Sequence, residues 1–143
     1  MTPEKKTTMR TPPETLARWH QLLESRDFGV LDELLADDAT FISPVVHTPQ
    51  VGKAVTGSYL RAAGALLLSN GTFHYVHEWW NERSAVLEFE AEIGGVHING
   101  VDMISWGADG KIVRFKVMIR PLKAVNMVHE AMGKLLAMRA QER

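Results

Sequence analysis

The 143 residues, 45% of them hydrophobic, suffice for one domain, which at this size hides about two thirds of the surface its unfolded chain exposes. Lys and Arg number 16 against 17 Asp and Glu, a formal net charge of −1, so the basic excess of a nucleic-acid binder is missing. The absence of Cys excludes disulfide staples, thiolate metal sites and cysteine nucleophiles, and the longest apolar run, Ala62 to Leu68, falls far short of the roughly 18 residues of a membrane span. The stretch Met1 to Pro12 lacks the apolar centre of a secretory signal. A cytoplasmic protein is expected, with neither nucleic acid nor membrane among its partners.

Residues 1–10, polar and carrying one Pro, predict a flexible arm, and residues 11–143 a single domain. Thr11-Pro12-Pro13-Glu14 combines the hydroxyl, proline and carboxylate of a capping box. A helix to about Ser25 follows, with Leu16, Trp19 or His20, and Leu23 on its apolar face. Asp27 reads as the cap of a second short helix through Leu31, Leu34 and Leu35, ended by Asp37-Asp38. Thr40 to Ser43 predicts a short strand, Pro44 and Pro49 bracket a loop, and a third helix spans about Lys53 to Leu68, closed by Asn70-Gly71.

From Thr72 the apolar period becomes two, and turn signals at Asn81-Glu82, Gly94-Gly95 and Ala108-Asp109-Gly110 divide the segment into four antiparallel strands. Pro121 opens a last helix, 121–141, with an apolar stripe of Leu122, Val125, Val128, Met132, Leu135 and Leu136. This order predicts an α+β fold with helices packed on one face of a curved sheet.

A two-residue turn at Gly94-Gly95 sets Ile93 against Val96, Ala91 against Ile98, Phe89 against Gly100 and Leu87 against Asp102. One face of the pair is then apolar, while Glu88, Glu90, Glu92, His97 and Asn99 share the other. Closing the next hairpin over Gly107–Gly110 pairs Trp106 with Lys111, Ile104 with Val113 and Asp102 with Phe115, and leaves Arg114 and Lys116 on the polar side. Asp102 is therefore the one charged residue on the apolar face of these three strands. Such a carboxylate either meets a donor or takes up a proton more readily than usual. A carboxylic acid held neutral can donate to a developing oxyanion, while a structural acid simply bonds a buried Trp, His or amide.

Several stretches together resemble the nuclear transport factor 2-like superfamily, which includes ketosteroid isomerases and SnoaL-like polyketide cyclases. They are Arg26-Asp27, Leu31 to Phe41, Ser43-Pro44-Val45-Val46, Gly52, Val101-Asp102 and Gly110-Lys111-Ile112-Val113, within residues 13–121. The resemblance implies a cone-shaped curved antiparallel sheet with N-terminal helices on its concave face, to which this chain adds its C-terminal helix. It also implies a pocket for a small molecule and a homodimer formed through the sheet. Of the isomerase residues, the general-base Asp position holds Ser43, the oxyanion-donating Tyr of the first helix corresponds to Trp19, and only the acid on the sheet is kept, as Asp102. The epoxide-hydrolase relatives place an Arg two residues before that acid, where this chain has Gly100, and a second Asp near Val117. The cyclase acid of the last strand is replaced by Phe115, Lys116 and Val117. The scaffold hosts many reactions and plain binding modules, so the resemblance does not choose among them.

His47, in the loop after the first strand, is a candidate base or an ordinary surface residue. His77 alternates with Phe73, Tyr75 and Trp79, which puts it on the concave face near Asp102 unless a strand bulge turns it outward. His74 belongs to the opposite set. No metal-ligand spacing occurs among the 6 His, and neither a metal nor a cofactor is expected. Trp19, Phe41, Ser43, Tyr59 and Phe115 are expected to line the pocket, with Trp79 and Trp106 as further aromatic candidates. The Met-rich C-terminal helix, with Met127, Met132 and Met138, either covers the cavity mouth, packs on a partner or belongs to the core. Glu88, Glu90 and Glu92 on one strand and Arg114, Lys116 and Arg120 on another form complementary stripes for a two-fold dimer.

The leading expectation is a protein that binds a small apolar molecule, a cofactor-free isomerase, cyclase or lyase with Asp102 as acid/base assisted by His77 or His47. The alternative is a non-catalytic ligand-binding or dimeric interaction domain.

Overall fold

The computed structural model describes residues 10–141. Along the chain run α1 (Glu14–Ser25), a 3-10 turn (Phe28–Val30), α2 (Leu31–Leu34), β1 (Leu35–Ile42), β2 (Gln50–Val51), α3 (Lys53–Leu67), β3 (His74–Trp80), β4 (Ser84–Ile93), β5 (Val96–Trp106), β6 (Ile112–Arg120) and α4 (Leu122–Gln141). The strands form one six-stranded sheet in the order β2-β1-β6-β5-β4-β3. Every neighbour pair is antiparallel except β1 and β6, which run parallel because the chain crosses through α3 and the β3–β5 meander before returning. The fold is mixed α+β, with a curved, unclosed sheet, helices from the N-terminal half and a C-terminal helix. Of the predicted arm only Arg10 is described, its guanidinium 4.2 Å over the Trp80 ring, and residues 142 and 143 likewise lie outside the described residues. No helix among the described residues is long and apolar enough to cross a membrane.

Helix α1 buries Leu16, Trp19 and Leu22, which share one face at spacings of three. Its start departs from the capping-box expectation: Pro13 holds the N-cap position and no side chain caps the helix. Pro13 pushes Pro12 out of the helical region, which leaves Thr11 too early in the chain to cap. Thr15 fastens this end instead, its hydroxyl donating to the Gly110 carbonyl at 2.7 Å. Asp27 caps as expected, accepting from the Gly29 amide at 3.1 Å. The helix after it stops at Leu34, and Asp37-Asp38 lies inside β1 rather than ending a helix. Pairing with β6 overrides the local helical pattern here, because the extended chain buries Leu35, Ala39 and Phe41 against the sheet.

Gly94 and Gly95, both left-handed at φ 56 and 79, close the β4–β5 hairpin, and all four predicted pairs, Leu87 with Asp102 included, stand as expected. The β5–β6 register is shifted by two: Asp102 faces Val117 and Ile104 faces Phe115. An even shift preserves faces, so the apolar set stays inward. A bulge next to Trp106 then brings Ile112 rather than Val113 into the core, and Val113 is exposed.

The buried side chains form one cluster between the helices and the sheet. Gly100 is required where β5 passes under Phe89. A Cβ there would stand 2.6 Å from that ring and 2.5 Å from the Met118 carbonyl oxygen. Gly100→Ala is expected to lower stability by about 1–3 kcal/mol as an overpacked core does, read as a lower urea midpoint at unchanged slope.

Candidate functional site

The concave face of the sheet does not close completely on the helices. It leaves a cavity of about 220 Å³, walled by α1, α3, α4, the loop after β1 and the inner face of β3, β5 and β6. Trp19, Phe41, Ser43, Tyr59, Phe115 and Asp102, all anticipated, lie in its lining. Trp19 meets Phe115 edge-on at 4.9 Å, and Phe41 stacks on Tyr59 at 4.9 Å, so the walls are aromatic and stiff.

Asp102 is 7% exposed and is the only carboxylate of the lining, which holds no Lys or Arg among the described residues. Its position follows from the Gly94-Gly95 turn, which fixes the parity that aims it inward. Tyr75, half-buried on β3, donates its hydroxyl to Asp102 Oδ2 at 2.6 Å, and Trp19 Nε1 donates to that hydroxyl oxygen at 3.0 Å. Every proton in this relay points toward the acid. Asp102 Oδ1 has no hydrogen-bond partner among the described residues. Burial raises the Asp102 pKa from 3.8 to about 7, against the Tyr75 hydrogen bond, which lowers it. Burial and then the Asp102 charge hold the Tyr75 hydroxyl well above its ordinary 10.0, so it remains a donor. An acid poised near neutrality in an apolar hollow can both take and return a proton.

The two imidazoles expected to assist are elsewhere. A bulge between Tyr75 and His77 turns His77 to the outer face of the sheet, where it is 65% exposed and its Nδ1 lies 3.1 Å from Glu88 Oε1. The same bulge puts His74 and His77 on one side. His47 is an exposed loop residue outside the cavity lining. Pro44, Val45 and Val46 present the inner side of that loop, held by Ser43, whose Oγ accepts the Val45 and Val46 amides at 3.0 and 3.1 Å. Trp79 is exposed on the outer face, and Trp106 lines a separate polar groove, where its Nε1 donates to the Glu82 carbonyl.

Of the polar lining residues, Tyr75 and His129 are the two that the sequence reading did not assign to the site. The signal for Tyr75 was its place between Phe73 and the β4 partner Phe89, which marks an inward residue. Its bond to Asp102 spans an intervening strand, which no local pattern encodes. Behind Tyr75 lies a second pair, His20 and Glu78, 2.7 Å apart, with the His20 ring edge-on to the Tyr75 ring. Among the described residues no three His, Asp or Glu side chains converge as a metal site.

Residues 16–115 match the SnoaL-like domain family. The crystal structure of a steroid delta-isomerase from Pseudomonas aeruginosa is similar, with 37% identity over 92% of this chain and 99% of that one and a TM-score of 0.84. An uncharacterized bacterial protein with a cystatin-like fold from Silicibacter pomeroyi has 26% identity over 90% of this chain and 89% of its own, with a TM-score of 0.81. An epoxide hydrolase/cyclase-like enzyme of salinomycin pyran-ring formation shares the fold at 20% identity and a TM-score of 0.59, over 84% of this chain and 95% of that one. No curated protein matches.

Proposed function

The chain belongs to the SnoaL-like family, and on that footing we propose that it binds a small apolar molecule carrying a carbonyl and moves a proton on it with Asp102. The class is that of a cofactor-free isomerase, cyclase or lyase. One observation carries this: the cavity holds a single carboxylate, shifted to about 7 by burial, among walls that are otherwise aromatic and aliphatic. As carboxylate, Asp102 takes a proton from the carbon beside the carbonyl, and as acid it returns that proton elsewhere on the molecule. The Tyr59 hydroxyl, which has no partner among the described residues, donates to the carbonyl oxygen as charge builds there. Tyr75, its hydroxyl committed to Asp102, positions the acid. Kinship with a steroid delta-isomerase supports proton transfer beside a carbonyl. Ser43 and Trp19, in place of a base and a phenol, argue against the same route.

Solvent-deuterium exchange at the carbon beside the carbonyl, followed by NMR over a panel of unsaturated ketones, tests this. The wild type is expected to speed exchange of at least one ketone, with a loss of about 100-fold or more in Asp102→Asn and a smaller loss in Tyr59→Phe. Binding without exchange would sink the catalytic reading. It would favour a non-catalytic binding module, a second reading supported by Ser43, whose oxygen is committed to two backbone amides.

The outer sheet face supports a homodimer. Glu88, Glu90 and Glu92 line β4, Arg114, Lys116 and Arg120 line β6, and Met118 and Trp79 stand 48% and 56% exposed. An isologous contact sets each stripe against its opposite. Light scattering is expected to give a dimer at low salt, weakened about tenfold or more by Glu90→Lys combined with Glu92→Lys and by salt near 0.5 M. A monomer at millimolar protein and low salt would end the idea.

A further inference from the structure

All lining residues of the cavity are buried or half-buried except His129 and Gly133, which are exposed and lie one turn apart on α4. These two residues mark a rim of the cavity on α4. Gly133 sits well inside that 20-residue helix, where glycine is less favourable than alanine, and it has neither a positive φ nor a close neighbour to explain it. A Cβ built there meets nothing within 4 Å. Gly64, in the same lining on α3, shows the contrast: its Cβ would stand 2.5 Å from the Phe28 ring, so packing requires that glycine. At Gly133 the missing side chain leaves room at the rim, flanked in the lining by Met132 and Leu136. The segment matching the family model, residues 16–115, ends before this helix.

We propose that Gly133 sets the length of the molecule the cavity accepts. The ligand is an elongated apolar molecule whose inner end lies beside Asp102 and whose outer end passes over Gly133. This rests on the reading of the cavity as a binding site, but not on Asp102 being catalytic.

Calorimetric titration with straight-chain alkyl phenyl ketones of increasing length tests it. In the wild type, affinity rises with chain length as each added methylene is buried. In Gly133→Leu the ratio of affinities between the longest and the shortest ketone falls at least tenfold, and in Gly133→Ala it falls by less. Gly133→Ala also raises Tm by about 2–4 °C, because alanine favours the helix. A glycine with a purely structural role would change Tm and leave the ratio alone, and an unchanged ratio in folded Gly133→Leu and Gly133→Ala overturns the proposal. If no ketone of any length binds the wild type, both this proposal and the binding reading fall. If the length dependence behaves as stated while Asp102→Asn exchanges protons like the wild type, only the catalytic reading falls.

Discussion

Replacing Asp102 by Asn is expected to remove a fall in stability that the wild type undergoes between about pH 4 and pH 8. The folded-state pKa is about 7 against 3.8 for a free side chain, so in this interval the folded protein binds the proton that the unfolded chain has released. Stability is then highest below the unfolded value and declines as pH rises through the folded one. A difference of about three units corresponds to on the order of 4 kcal/mol for one group. Asn keeps the size of the side chain and an oxygen that can accept the Tyr75 hydroxyl, but it cannot ionise. Urea midpoints across the interval should therefore converge or cross, with the variant gaining on the wild type as pH increases. The wild-type minus variant difference isolates this group from other titrations. A difference constant with pH would mean that Asp102 is an ordinary solvated acid, and the proposed proton transfer would lose its basis.

Tyr75→Phe is the second large effect. The hydroxyl it deletes accepts from Trp19 and donates to Asp102, so one substitution strands an indole N–H and a carboxylate oxygen in a buried place. Each orphan costs about 1–3 kcal/mol, more when charged. The expected loss is about 2–4 kcal/mol, larger at pH 8, where the stranded acid is ionised, than at pH 5, where it is neutral. The Tyr75 hydrogen bond also lowers the Asp102 pKa, so its removal moves the acid further up. Any proton-transfer activity should follow, its pH profile shifting to higher pH. Equal destabilisation at both pH values, with an unmoved profile, would show that the Tyr75 hydroxyl has no bearing on Asp102.

The two substitutions touch neighbouring atoms yet act in opposite directions at high pH, because one removes the charge and the other removes its donor. A combined variant should therefore be far from additive. In Asp102→Asn, the further loss of the Tyr75 hydroxyl strands only neutral groups.

Much of this site was legible before any tertiary information. The Gly94-Gly95 turn and the strict alternation on either side of it fix which residues of β4 and β5 share a face, and that parity alone isolates Asp102. The β5–β6 turn was placed two residues off, but an even error leaves faces intact, so Phe115 still reaches the cavity wall. Odd shifts are unforgiving. A single bulged residue between Tyr75 and His77 moves His77 to the outer surface, and nothing in the letters of that strand marks where the bulge falls. The opening of β1 was hidden for a related reason. Leu35 continues the helical spacing of Leu31 and Leu34, which are helical, yet it opens the strand, and only pairing with β6 decides.

By itself, then, the sequence determined the class of fold, the face occupied by each residue of the central hairpin, and the presence of one inward carboxylate. These depend on period and turn chemistry, which act over a few residues. Tertiary structure decided what that carboxylate meets and where the cavity opens. Tyr75 lies 27 residues from Asp102 and Trp19 56 from Tyr75, and the exposed rim belongs to a helix whose stripe only shows that it packs, not on what. Contacts at such separations arise from the curvature of the sheet and the length of the side chains that span it, and neither is written in any local pattern.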